Sequence, residues 1–193
     1  RFLYEAQDPG ALRAALAFLM TEDGIPCLYY GTEQDFNGGN DPANREPLWW
    51  SEYRQDGETF RWFADLSRVR RAFVALRRGS FRFVWTTPRV GDEQDAGIVA
   101  FEREAASGEY ALVVINSHEA HASETSATQV GGQAMELSRP AGTELVDVLS
   151  GERFTVDSQG RLSVRVSAQG ARILVPPGEC PEGQCDFAIN APF

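Results

Sequence analysis

Asp41 and Arg45 stand four residues apart in the stretch Asn40-Asp41-Pro42-Ala43-Asn44-Arg45. A proline-initiated turn lets both side chains point to one side. A carboxylate accepts hydrogen bonds from hydroxyls and a planar guanidinium donates in a fork, which together suit a polyhydroxylated ligand. The same groups can instead simply hold each other, with Asp41 capping the turn, and residue types alone favour that plainer reading. Glu33 and Asp41 form a second combination, two carboxylates of the kind acid/base chemistry uses. No catalytic role is expected of the pair. His118 and His121 have a spacing that can suggest a metal, but no thiol or carboxylate is arranged to complete a site, and they read as exposed loop residues. Trp49 and Trp50 could offer a flat apolar face to a ligand. Adjacent tryptophans at a loop-to-helix junction are rather expected to pack inside. No metal and no cofactor is assigned.

These groups need elements to hold them. Asp8-Pro9-Gly10 opens a helix, Asp as N-cap and Pro at the first helical position. Leu12, Ala15, Leu16, Leu19 and Met20 then repeat at helical spacing, and Asp23-Gly24 ends the helix. Ile25 to Tyr30 reads as a short strand apolar on both faces, as in a parallel sheet, with Cys27 buried within it. Residues 31 to 58 are loop, rich in turn formers and long enough to suggest function. A second amphipathic helix is predicted from about Glu58 to Arg78, with Phe60, Phe63, Val69, Phe73 and Leu76 on its apolar face and arginines on its wet one.

From Ser80 the hydrophobic period changes to two. Strands are predicted at Phe81–Thr86, Gly97–Glu102, Tyr110–Asn116, Thr143–Leu149, Arg153–Val156, Arg161–Val166 and Ala171–Val175. Short strands separated by turns argue for an antiparallel β-sandwich. One helix, one doubly buried strand and a second helix cannot close a sheet, and a parallel barrel takes about eight βα units and roughly 250 residues. The expected fold class is therefore α/β plus all-β: the C-terminal remnant of a (β/α)8 barrel over 1–78, an antiparallel β-sandwich over 79–178 and a tail over 179–193.

Bulk properties narrow the function. Of 193 residues, 42% are hydrophobic, and they include twelve Phe, four Trp and five Tyr, enough for a sizeable core. A formal charge of −10 is poor for a nucleic-acid partner. No apolar run reaches the roughly eighteen residues of a membrane span. Cys180 and Cys185, in Cys-Pro-Glu-Gly-Gln-Cys, could close a small disulfide loop; paired or free are equally open on sequence.

The pattern Ala15, Phe18-Leu19, Thr21, Gly24-Ile25-Pro26, Tyr29 through Gln34, then Gly38 through Arg45, resembles the α-amylase family of glycoside hydrolases, near its α-amylase and cyclodextrin glucanotransferase branch. The resemblance is strong to Trp50, and architectural from there to about Pro177. It implies a retaining mechanism whose aspartate nucleophile, glutamic acid/base and second aspartate follow barrel strands 4, 5 and 7, two of them about 5–5.5 Å apart. Arg1-Phe2-Leu3 resembles the residues just after the last of these, so all three are expected before residue 1. It also implies that Asp41 and Arg45 contact glucose units, and that Tyr29 and Tyr30 fill barrel layers. The expected substrate is an α-glucan oligosaccharide or polysaccharide and the expected partner is the remainder of the catalytic barrel, with no nucleic acid and no membrane. The chain alone is expected to be inactive, and its parent secreted or periplasmic. The alternatives are a non-catalytic carbohydrate-binding module and an amylase-like interaction protein that lost its carboxylates.

Overall fold

The computed structural model describes residues 1–125, 134–181 and 185. Helix α1 (Phe2–Ala6) leads into α2 (Pro9–Thr21), whose start is fixed as the sequence predicts: the Asp8 carboxylate accepts from the Gly10 and Ala11 amides and Pro9 follows it. After the loop come α3 (Glu58–Ala72) and a short α4 (Val74–Arg78), separated at Phe73, where the backbone is extended. The single predicted helix is thus two.

The strands are β1 (Ser80–Trp85), β2 (Ile98–Glu104), β3 (Tyr110–Asn116), β4 (Ser123–Glu124), β5 (Glu144–Asp147), β6 (Arg153–Thr155), β7 (Arg165–Val166) and β8 (Ala171–Val175). Their pairings are antiparallel throughout, in a sheet of order β1-β2-β3-β8-β5-β6 and a two-stranded sheet β4-β7. The 161–166 stretch keeps its alternation, with Leu162, Val164 and Val166 buried, but only its end pairs as a strand, and with β4.

The larger sheet is buried on both faces because each strand sends alternate side chains to opposite sides. On one face Leu112, Val114 and Leu174 meet Met135, Leu162, Val164 and Val166. On the other, Phe101, Ala111, Val113 and Ile173 share a core with Leu16, Met20, Trp62, Leu66 and Leu76 from the helices. Trp62 and Leu66 belong to this buried stripe, whereas Phe63 lies at its margin and Phe60 is only partly buried. Core packing therefore runs continuously across residues 78 and 79.

Two arginines seal the junction. Arg103, fully buried in β2, donates to the carbonyls of Thr21 (2.5 Å), Gly79 (2.9 Å) and Ser80 (3.0 Å). Arg70, buried in α3, donates to Met20 (2.8 Å), a carbonyl that the end of α2 leaves without an intrahelical donor, and to Gly24 (2.7 Å) in the segment that follows. The expectation that the arginines of the 58–78 stretch lie on its wet face holds for Arg68, Arg71 and Arg78 and fails for Arg70.

The predicted strand over residues 25–30 does not form. That stretch has no regular structure, Ile25 is 95% exposed and Cys27 is exposed rather than buried. A strand is held by ladder bonds to neighbours, and no described residue supplies them here. Cys180 and Cys185 are disulfide-bonded, with Cα atoms 5.0 Å apart. Most of the predicted tail lies outside the described residues.

Candidate functional site

The loop after α2 carries the predicted site, and its shape is set by a polar hub at its base. One Glu46 oxygen accepts from the amides of Asn37 (3.1 Å) and Gly38 (2.7 Å), while the other pairs with Arg1 at 2.5 Å. Arg1 also donates to the Tyr30 carbonyl (2.7 Å), and its guanidinium lies 4.8 Å from the Tyr29 ring and 5.4 Å from that of Phe36. Chain separated by 45 residues is thereby fastened together. Gly38 is needed for close approach: a Cβ there would collide with the Ala43 carbonyl oxygen. Neither Arg1 nor Glu46 stood out in the sequence as an organiser. The signal available was the acidic residue directly after Arg45.

Above this base, the Ala43 amide donates to Asn40 and the Arg45 amide to Pro42, making a tight turn. It brings the two predicted site residues together. Arg45 Nε lies 2.7 Å from Asp41 Oδ1, and the side chains stay 67% and 59% exposed. Both readings weighed from the sequence are compatible with this pairing. The carboxylate and the guanidinium satisfy each other and still face solvent, where hydroxyl groups could join or replace the contact.

Glu33 sits in a 3-10 turn (Thr32–Gln34) and opens onto a separate pocket of about 610 Å³, shared with Asp35, Trp50, Glu52 and Arg54. Asp41 does not line that pocket, so the structure gives no shared cavity to the Glu33–Asp41 combination. The tryptophans depart from expectation: Trp49 and Trp50, on a 3-10 turn (Leu48–Ser51), are 64% and 62% exposed. Their rings meet edge to face at 6.0 Å and find no core to enter. Tyr29 and Tyr30 are likewise half-exposed, packed on each other at 4.7 Å. A large ring is buried only where a facing surface covers it, and the Arg1 guanidinium against Tyr29 and Tyr30 covers these two in part.

His118 and His121 act as loop fasteners. His118 Nδ1 accepts from the amides of Ala120 and His121, so its Nε2 carries the proton that bonds the Gly91 carbonyl at 2.9 Å. His121 Nε2 lies 2.9 Å from Asp92. Among the described residues no group of three or more His, Cys, Asp and Glu could hold a metal. No helix among them is long and apolar enough to cross a membrane.

No protein-family model matches the chain. It is 33% identical over 182 residues to a β/α-amylase of Paenibacillus polymyxa, covering 90% of this chain and 14% of that protein. Among solved structures, an α-amylase from Malbranchea cinnamomea superposes with a TM-score of 0.70 at 25% identity, over 96% of this chain and 37% of that one. A γ-cyclodextrin glucanotransferase (CGTase) from Bacillus clarkii does so with a TM-score of 0.68 at 26% identity, over 91% and 24%. The chain therefore spans a minor share of each of these proteins.

Proposed function

From a chain that belongs to the α-amylase family and corresponds to a C-terminal part of its members, we propose a parent protein that cleaves or transfers α-glucosidic bonds in starch-like glucans. In this reading residues 1–78 complete a catalytic (β/α)8 barrel, the two antiparallel sheets form the β-sandwich that follows, and the three carboxylates of the retaining mechanism belong to the rest of the barrel. The chain by itself turns over nothing.

The observation that carries the reading is the exposed Asp41–Arg45 pair, held out on a turn whose base is clamped by Arg1 and Glu46. An anchored turn loses little freedom when a ligand binds, so hydrogen bonds to glucose hydroxyls are gained at small entropic cost. Arg45 donates to sugar oxygens and Asp41 accepts from sugar hydroxyls, holding one end of the glucan while chemistry proceeds elsewhere. The stretch from Ile25 to Tyr30 supports the barrel reading, since Ile25, Tyr29 and Tyr30 offer exposed apolar surface to a neighbouring element. The Cys180–Cys185 bond supports an extracytoplasmic location.

The test is kinetic. In the parent enzyme, Arg45→Ala is expected to lower kcat/KM on maltoheptaose by roughly 10- to 100-fold, the loss of charged hydrogen bonds to substrate. An unchanged kcat/KM would remove the pair from the binding site. A parent that releases no reducing ends from any α-glucan would remove the enzymatic reading itself.

A further inference from the structure

The turn that carries Asp41 and Arg45 is closed by its own bonds. The two side chains hold each other, and the amides of Ala43 and Arg45 donate back to Asn40 and Pro42. Those contacts shape the turn without fixing where it stands. Its place is set from below, by one buried side chain. Glu46 Oε1 accepts from the amides of Asn37 and Gly38, and Oε2 from Arg1 Nε. Gly38 lies hard against the turn, because a Cβ on it would come within 1.9 Å of the Ala43 carbonyl oxygen and 2.8 Å of Glu46 Cδ. Gly39 lies as closely on α1, where its Cβ would be 2.7 Å from the Tyr4 ring.

Burial makes the Glu46 carboxylate hard to replace. The side chains of Arg1 and Glu46 are 3% and 14% exposed, and Arg1 Nη2 has no hydrogen-bond partner among the described residues. Without Glu46, the two amides lose their acceptor and Arg1 is left as an unpaired buried cation. Such a cation is driven toward water, which releases the Tyr30 carbonyl as well. Several attachments then fail together, and the contact groups above them lose their fixed place. We propose that Glu46, braced by Arg1, is a positioning residue: it fixes where Asp41 and Arg45 stand, and so how tightly a glucan is held, without touching the sugar. That Asp41 and Arg45 contact sugar rests on the function proposed above. The bracing of the turn does not.

The experiment is a double-mutant cycle on kcat/KM for maltoheptaose, run in the parent enzyme with Glu46→Ala, Arg45→Ala and both together. Glu46→Ala is expected to lower kcat/KM about tenfold, through KM, with kcat held within about twofold. In the Arg45→Ala background the same substitution should cost no more than about twofold, because the group it positions is gone. Glu46→Gln keeps an oxygen for the two amides and should recover kcat/KM to within about threefold of wild type. Should Glu46→Ala fail to fold, the Gln variant in both backgrounds carries the same comparison.

An equal loss in both backgrounds would overturn the proposal, since Glu46 would then act on the enzyme as a whole and not through Arg45. So would a loss confined to kcat, or an unchanged kcat/KM. No recovery by Gln would overturn it too, because the amides would not be what holds the turn. Failure of the sugar contact itself looks different: Arg45→Ala alone would leave kcat/KM unchanged, whereas each outcome above is read with Arg45→Ala impaired.

Discussion

The residues before Gly57 and those after it use the same side chains in opposite ways. Trp62 and Trp85 are each 1% exposed, Trp62 with its indole N–H bonded to the Arg13 carbonyl, whereas Trp49 and Trp50 stand in solvent. Nine of the eleven exposed large hydrophobics among the described residues fall at or before Tyr53. In the sheet, charged side chains are buried and paired. Glu102 in β2 accepts from the Tyr110 hydroxyl and the Ser138 amide and pairs with Arg82, and Asp147 in β5 accepts from two amides, Ser150 and Arg172. Burial, and then the neighbouring Glu102, push the Tyr110 phenol far above its ordinary range and keep it a donor. The front loop's Glu33, Asp35 and Glu52 have no such partners. What this teaches is that the helices and the sheet close their own interactions, while the loop from Thr32 to Tyr53, beyond its Arg1–Glu46 clamp, presents most of its large rings outward.

The comparison can be broken most directly at the arginine that joins the two parts. Arg103→Leu should destabilise the chain by about 3–5 kcal/mol in urea unfolding, because two buried carbonyls and a third part-buried one lose their donor at once. A loss below about 1 kcal/mol would mean that the helices and the sheet do not depend on this junction. Trp62→Ala should cost a similar 3–5 kcal/mol through the cavity it leaves between α2, α3 and the sheet.

Smaller effects sharpen the contrast. Replacing Asp8 by Ala should cost about 1 kcal/mol, the usual value for an N-cap. Burial nudges the Asp8 carboxyl upward, but the Ala11 amide, the Gln169 side chain and the Gly10 amide outweigh it and hold the group below its ordinary value. A depressed folded-state pKa means that this stabilisation is present above the unfolded aspartate value and fades as pH falls through the folded one. Wild type and Asp8→Ala should therefore converge in stability on acidification, which unfolding curves at stepped pH would check.

Least of all, Trp49→Ala with Trp50→Ala should change unfolding free energy by no more than about 0.5 kcal/mol, and Arg45→Ala by about as little, since an exposed ion pair contributes at most about 1 kcal/mol. A loss of several kcal/mol from the tryptophan pair would show that these rings are structural after all.

Much of this was legible in the chain. The Asp8-Pro9 helix start follows from local capping chemistry, and the alternation in β3 and β8 follows from the two-residue period of a strand; both ends of both strands fall where the sequence places them. The Asp41–Arg45 pairing was also readable, because four residues around a proline turn leave few arrangements. Trp49, Trp50, Cys27 and the 25–30 strand were misplaced for one reason. Sequence records that a side chain is apolar, not whether a surface stands ready to cover it.

Local elements, the strand alternation and the turn that carries Asp41 and Arg45 were set by the sequence alone, since each depends on residues within a few positions of one another. Only tertiary structure decided that Arg103 and Arg70 would be buried, that Arg1 would clamp Glu46, and that Trp49 and Trp50 would stay exposed. Those outcomes join groups separated by up to 82 residues, and a contact at that distance is settled by which surfaces meet when the whole chain packs.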